Sequence, residues 1–272
     1  METTVIVEKD IPFHMFYVVP LADFHLGAQE CAVDVIRGYI DWIQERDNAY
    51  TILNGDLMNC AIKDSSSELF DDLTTPDTEY NRLRMLLSPI QDKVLMVTRG
   101  THEGHIYRRV GADYSARLAF DLGDVPYRPD GGMVMLSARR RPDEDRYRTC
   151  FTFYATHGWG GARTIGSKVK KVEELATAVD ADVYILSHDH TQNVHRFNHL
   201  VPSHLHDKHG KRHLVPHRKL LVNTGGFLKY GGYVAQRGLS PQDLGTPRIR
   251  CEVKHERVNG KPRYYKDLHA SI

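Results

Sequence analysis

Five short polar groups punctuate this chain, and each stands immediately after an apolar run that reads as a β-strand. Asp23-Phe24-His25 follows the aromatic and β-branched run 14–20, and Asn54-Gly55-Asp56-Leu57-Met58-Asn59 follows 50–53. Arg99-Gly100-Thr101-His102-Glu103 follows 93–98, His157-Gly158 follows 148–155, and Ser187-His188-Asp189-His190 follows 182–186. Short continuous apolar runs suit strands buried on both faces. In open α/β sheets ligands bind at the carboxyl ends of strands, so loops at those ends converge on one place. The pattern predicts an α/β fold with one composite polar site.

Helical spacing fills the gaps between strands. Val33, Ile36, Ile40 and Ile43 predict an amphipathic helix over 29–46. Leu83, Leu86, Leu87 and Ile90 mark a second helix ending near Pro89, and 112–122 a third, stopped at Gly123. In the second half, 132–137 and 148–155 read as strands joined by an arginine-rich turn, 139–145. Val169, Val172, Leu175 and Val179 form a further helical stripe. Strands are then expected at 194–200, 219–223, 233–235, 249–253 and 263–267. No repeat or low-complexity linker interrupts the 272 residues, which read as one domain with an α/β front and a β-rich rear.

Composition narrows the function class. With 41% hydrophobic and 26% charged residues the chain is neither disordered nor fibrous. No apolar stretch reaches the roughly 18 residues of a membrane span, and residues 1–10 lack a signal-peptide pattern, so the expected location is the cytoplasm and no membrane partner is expected. Cys31, Cys60, Cys150 and Cys251 form no C-x-x-C pair and read as small buried hydrophobes.

Net charge is only +1, but its distribution is uneven. Residues 64–79 hold six acids and no Lys or Arg, which reads as a solvated loop. Residues 196–219 hold six Lys/Arg, one Asp and six of the 16 histidines, a solvated basic hairpin or flap in preference to a third metal site. Arg139, Arg140, Arg141, Arg146 and Arg148 surround three acids, a salt-bridged hairpin in its plainest reading. Together with the flap they would attract a phosphate backbone, although no base-reading motif is present.

The polar groups share one chemistry. Asp, His and Asn without cysteine make an oxygen and nitrogen donor set suited to Mn, Fe, Zn or Ni. Two such ions about 3.5 to 4 Å apart need a bridging carboxylate, and Asp56, in a turn behind Gly55, is the natural candidate. A paired metal site calls for an anionic, oxygen-rich substrate such as a phosphate ester. Singly, Asp23 reads as a helix cap, Asp56 as a turn residue, and His102, Glu103, His188 and His190 as exposed loop. Five groups in register with five strands outweigh those readings.

Taken in order, the five groups resemble the signature of the calcineurin-like metallophosphoesterase superfamily: D-x-H, G-D-x-x-D/N, G-N-H-E/D, H with a small residue, and G-H-x-H. The resemblance spans residues 23–190. It implies a four-layer αββα sandwich with two mixed β-sheets, and two divalent ions, Mn foremost with Zn, Fe or Ni as alternatives. Asp23, His25 and His190 would hold the first ion, Asp56 would bridge, and His157 and His188 would hold the second. His102 would protonate the leaving oxygen or stabilise the phosphoryl group, with Asn59 orienting it. A metal-bridging hydroxide would attack phosphorus in line. Asn223-Thr224-Gly225-Gly226, with 230–233, also looks like the closing strand of phage- and prophage-encoded members.

Two positions depart from that signature. Thr101 stands where an asparagine ligand of the second ion is usual, and Ser187 where glycine is usual. Neither removes a charged ligand. The expected function is a metal-dependent phosphodiesterase or nuclease, acting on a phosphate ester such as a nucleotide or nucleic acid. The alternatives are a phosphomonoesterase, a non-catalytic metal-binding scaffold favoured only by Thr101, and a protein phosphatase, whose G-D-x-V-D-R-G form is absent. His105, three residues past His102, is placed either near the phosphate or at the surface.

Overall fold

The computed structural model describes residues 5–62, 74–143, 146–162, 164–203, 206–207, 209–231, 235, 240–258 and 261–272. Its strands are β1 (Val7–Ile11), β2 (Met15–Leu21), β3 (Ala49–Asn54), β4 (Val94–Thr98), β5 (Gly132–Arg139), β6 (Arg148–Thr156), β7 (Val183–Leu186), β8 (Gln192–Pro202), β9 (Leu214–Thr224), β10 (Arg248–Val258) and β11 (Lys261–Ser271). The helices are α1 (Val33–Gln44), α2 (Pro76–Leu87), α3 (Thr101–Val110), α4 (Tyr114–Asp121) and α5 (Ile165–Ala178), with a short 3₁₀ turn at Ser88–Lys93. One mixed sheet has the order β1-β5-β6-β7-β9-β8, the other β11-β10-β2-β3-β4.

Side-chain periodicity explains the layering. Along β2, Phe16 and Val18 face the second sheet while Val19 and Leu21 face the helices, because strand residues alternate sides. Ile36, Ile40 and Ile43 of α1, and Tyr80, Leu83 and Leu87 of α2, bury one stripe against that outer face. Between the sheets, Phe16, Ile52 and Met96 meet Phe151, Phe153 and Ile185. Phe16 and Phe151 pack edge to face, centroids 5.4 Å apart, about 0.5–1.5 kcal/mol beyond their burial. On the far side Val172 and Leu175 of α5 cover Tyr184 and Leu221. The result is the four-layer αββα sandwich that the resemblance implied.

Parallel pairing of β2, β3 and β4, and of β6, β7 and β9, sends their carboxyl ends one way in each sheet. Asn54 ties the two sets together. Its amide donates to Thr156 O (2.8 Å) and Ser187 Oγ (2.7 Å), and its oxygen accepts from Thr98 Oγ1 (3.0 Å). The serine in place of the usual glycine thus has a structural use.

Several expectations need correction. The first helix begins at Val33, not 29, and the region after β4 expected as loop contains α3. Glu79, read as part of a solvated acidic loop, is fully buried on α2, where it accepts the Cys60 amide (2.9 Å); residues 63–73 of that run lie outside the described residues. Of the four cysteines, Cys60 and Cys251 are buried, whereas Cys31 and Cys150 are only half-buried. The expected strand 233–235 falls mostly outside the described residues. The basic stretch is a hairpin, as one of its two expected forms had it. β8 leaves the site two residues after His190 and runs antiparallel to β9, and at ~3.3 Å per residue its far end lies roughly 33 Å away. It does not cover the site.

A polar knot staples the opposite end of the sheets. Asp182, 1% exposed, accepts from Thr152 N (2.9 Å) and pairs with Lys266 (2.7 Å) and His217 (3.0 Å). Burial opposes its charge, yet the His217 and Lys266 contacts hold its pKa down to about 2. A carboxylate depressed on folding contributes stability that is complete above its unfolded pKa, ~3.9, and lost as pH falls through the folded value. Wild type should therefore lose roughly 2–3 kcal/mol between about pH 5 and pH 1 that Asp182→Asn does not lose. Denaturant melts across that range measure it, and parallel losses in both proteins would contradict it.

Candidate metal centre

The five polar groups converge at the shared carboxyl end of the strands. Asp23, His25 and His190 place one donor atom each within 4.8 Å of one another, as do His25, Asp56 and His102, and again Asp56, His157 and His188. Asp56 belongs to two of these groups. All six expected ligand residues, and His102, are therefore brought together.

The backbone is held in unusual shapes to achieve this. Asp23, His25, Asp56, His188 and His190 have φ of 53, 46, 49, 72 and 50°, a region that non-glycine residues avoid. Each costs on the order of 1 kcal/mol or more and persists only where the surroundings enforce it. Five such positions cluster at the strand ends. Glycine appears where backbones must touch: a Cβ on Gly100 would lie 2.0 Å from Asp56 N, and one on Gly55 would lie 2.6 Å from Gly100.

Buried charges enforce these shapes. Glu103, 3% exposed, accepts the amides of Asp56 (3.0 Å), Leu57 (2.7 Å), Met58 (3.0 Å) and Gly100 (3.2 Å), so one carboxylate shapes the whole Asp56 loop. Burial and the nearby Asp56 raise its pKa. Behind the last motif, Lys168 donates to Asp189 O (2.9 Å) and Thr191 Oγ1 (2.5 Å), and Lys171 pairs with Asp189 (2.9 Å). Sequence reasoning assigned no role to Glu103, Asn54 or these lysines. For Lys168 a signal existed: it stands four residues before Val172 on the apolar stripe of α5, where a lysine needs a partner.

Hydrogen bonds fix which ring nitrogens face inward. His157 Nδ1 donates to Asn54 O (2.8 Å), leaving Nε2 inward, 3.0 Å from Asp56 Oδ2. His188 Nε2 donates to Gly160 O (2.8 Å), leaving Nδ1 beside Thr101 Oγ1 (3.0 Å). A histidine whose outer N–H is held by a backbone carbonyl is the usual arrangement of a metal ligand. His102 Nδ1 donates to Asn59 O (2.7 Å), and His102 N donates to Asp56 Oδ1 (2.8 Å). Asn59, expected to orient His102, accepts that bond with its backbone carbonyl. His105 keeps a buried Nε2 with no hydrogen-bond partner.

Electrostatics and unmet valences suit cations. Burial, then His102, push His25 well below the usual imidazole range, and burial takes His190 down to about 3 and lowers His188, so all three are neutral and carry lone pairs. Burial pushes Asp23 well up. Burial would raise Asp56 too, but the imidazoles of His157 and His102 hold it well below the carboxylate range. His157 is the reverse case: burial opposes its charge, and Asp56 raises it to about 10. Asp23 Oδ1 and His157 Nε2 are buried without a well-aligned hydrogen bond, and the Nε2 atoms of His25 and His190 approach to 3.2 Å. Orphaned donors pointing at one another fit divalent cations between them.

No protein-family model matches the chain, and no curated protein matches it. Among solved structures it is similar to Vacuolar Protein Sorting 29 from Cryptosporidium parvum, at 15% identity and a TM-score of 0.41, covering 94% of this chain and 99% of that one. A conserved uncharacterized protein of Streptococcus pneumoniae, described as a predicted phosphoesterase, is 12% identical with a TM-score of 0.37, covering 93% and 98%. A double mutant of Vps29 from Entamoeba histolytica gives 12% and 0.37, covering 94% and 99%. Among the described residues no helix is long and apolar enough to cross a membrane.

Proposed function

We propose that this chain is a phosphoesterase dependent on two divalent ions and that it acts on phosphodiesters. The observation that carries the reading is the shared position of Asp56 between two histidine groups. Asp23, His25, Asp56 and His190 would hold one ion, and Asp56, His157 and His188 the other. Bound there, the ions would supply Lewis acidity toward the phosphoryl group and lower the pKa of the attacking water, Mn being the first to test. At neutral pH uptake must displace the proton of His157, whose pKa stands at about 10 without metal.

His102 is the acid of the reaction. Its Nδ1–H is committed to Asn59 O, so Nε2 is the nitrogen that holds a proton for the leaving oxygen. Its amide on Asp56 Oδ1 keeps acid and bridge in register. The cations nearest the motifs in sequence are engaged elsewhere: Arg99 with Asp113 (3.1 Å), Lys168 and Lys171 around Asp189. A singly charged diester suits such a site better than a dianionic monoester. Protein stripped by chelator and refilled with Mn, Ni, Zn or Mg should hydrolyse bis-p-nitrophenyl phosphate in preference to p-nitrophenyl phosphate. His102→Ala should lose about 10²–10⁴-fold in turnover. Failure on every ester with every metal would sink the reading.

One observation favours the scaffold alternative, namely Thr101. Its hydroxyl sits on His188 Nδ1, the nitrogen the second ion needs. A neutral hydroxyl is a poorer ligand than an amide oxygen, so Thr101→Asn should tighten the weaker of two binding events by about tenfold. Calorimetric titration measures it, and unchanged affinity would place Thr101 outside the second site. Gly226, part of the stretch resembling phage-encoded members, packs against the cluster, where a Cβ would lie 2.9 Å from His190; the similar structures do not bear on that narrower likeness.

A further inference from the structure

Three hairpins turn at the end of the molecule opposite the metal centre. β6 and β9 run toward the centre and β8 and β10 away from it, so the β5–β6, β8–β9 and β10–β11 turns share the far pole. Two of them overhang their sheets. β9 pairs with β7 only from Leu220 onward, and β10 pairs with β2 only from Ile249 to Glu252. Residues 214–218 and 254–258 therefore extend past those pairings as two-stranded ribbons, with Lys219 and Val253 buried at their bases.

The sequence stretches that hold these hairpins are rich in positive charge: 139–148 sum to +2, 196–219 to +5 and 254–263 to +3, in a chain of net +1. Among the described residues part of it is paired, Lys219 with Asp180, Arg218 and Lys254 with Asp267, and Arg263 with Glu256. Arg141, Arg146, Lys211, Arg212 and Arg257 are exposed. The arginines are interleaved with aromatic rings. Arg140 lies 5.6 Å from the centre of Tyr147 and 5.1 Å from that of Tyr264, Arg141 5.6 Å from Tyr264, and Arg146 5.3 Å from Tyr147. These contacts join the β5–β6 turn to β11. Among the described residues, guanidinium groups of that turn lie over tyrosines; Glu144 and Asp145, two of the three acids in the salt-bridged reading, lie outside the described residues. Tyr147 and Tyr265 keep 48% and 41% of their surface exposed.

We infer that the far pole is a second, non-catalytic binding surface for single-stranded nucleic acid, distinct from the metal centre. Guanidinium groups neutralise successive phosphates, and exposed tyrosine faces accept stacked bases whatever their sequence. A flat anionic membrane would use the charge but not the upright rings, and an acidic protein would need no stacking. The surface does not depend on hydrolysis: it stands if the metal centre proves inactive, and the centre stands if this surface fails.

The test is fluorescence anisotropy of a labelled single-stranded DNA oligonucleotide with the full chain, in chelator so that hydrolysis cannot occur, across a salt series. Wild type should bind with affinity falling steeply with salt. In Arg141→Ala/Arg146→Ala the slope of log affinity against log salt should shrink by about 1.4, near 0.7 for each lost phosphate contact. Tyr147→Ala should bind at least about fivefold more weakly with an unchanged slope, because stacking is not ionic. Thermal melts confirm that both variants are folded. Wild-type binding by both variants would overturn the inference. So would displacement of the oligonucleotide by poly-glutamate at equal charge, or attachment to anionic phosphatidylserine vesicles with no binding of DNA.

Discussion

Asp56→Asn should abolish phosphoesterase activity and empty the centre of metal while leaving the fold intact. Asparagine has the same shape, so the amide of His102 still finds Oδ1. The charge is gone, and with it the one anion placed between His157 and the His25–His102 pair. Two dications held close together repel strongly unless an anion lies between them. The expected losses are more than about a hundredfold in metal affinity and about a thousandfold in turnover, with a denaturation midpoint close to wild type. Near-normal turnover at full metal occupancy would refute the assignment of Asp56 as the bridge.

Glu103→Ala should be the most damaging change at a residue that is not itself an expected ligand. Four backbone amides point at its two oxygens. Removing the carboxylate leaves them buried and unpaired, at roughly 3–5 kcal/mol of stability after partial relaxation. The Asp56 loop, held at φ 49° by those bonds, would then relax to an ordinary conformation, and metal affinity should fall with stability. Glu103→Gln retains one acceptor oxygen and should recover part of both. Urea denaturation and metal titration of the two variants measure the effect. A Glu103→Ala protein as stable as wild type would show that water satisfies those amides.

The site was legible because its chemistry is local. Each polar group follows its strand within a few residues, so the spacing places Asp23, Asp56, His102, His157 and His188 at the carboxyl ends of strands, the first three in one sheet and the last two in the other. What supports them was not legible. Glu103 looks like a polar loop residue, since nothing in Thr-His-Glu-Gly-His shows that three amides from another loop will surround it. The helix α3 was missed for the same reason: Gly104 and the histidines are weak helix formers, and the capping contact of Glu103 with Gly100 N does much to start it. Asn59 was legible as a residue but not as an atom, because a backbone carbonyl carries no sequence signal. The hairpin 196–219 was read as basic and solvated, yet only strand direction reveals that it points away from the centre.

The most direct measurement is anomalous diffraction from crystals grown with manganese. Two peaks about 3.5 to 4 Å apart are expected, one among Asp23, His25, Asp56 and His190 and one among Asp56, His157 and His188. A single peak on the first group would confine the account to one ion and make Thr101 the position that lost the second. No peak at either group, in crystals that diffract well and bind manganese nowhere else, would contradict the metal centre itself.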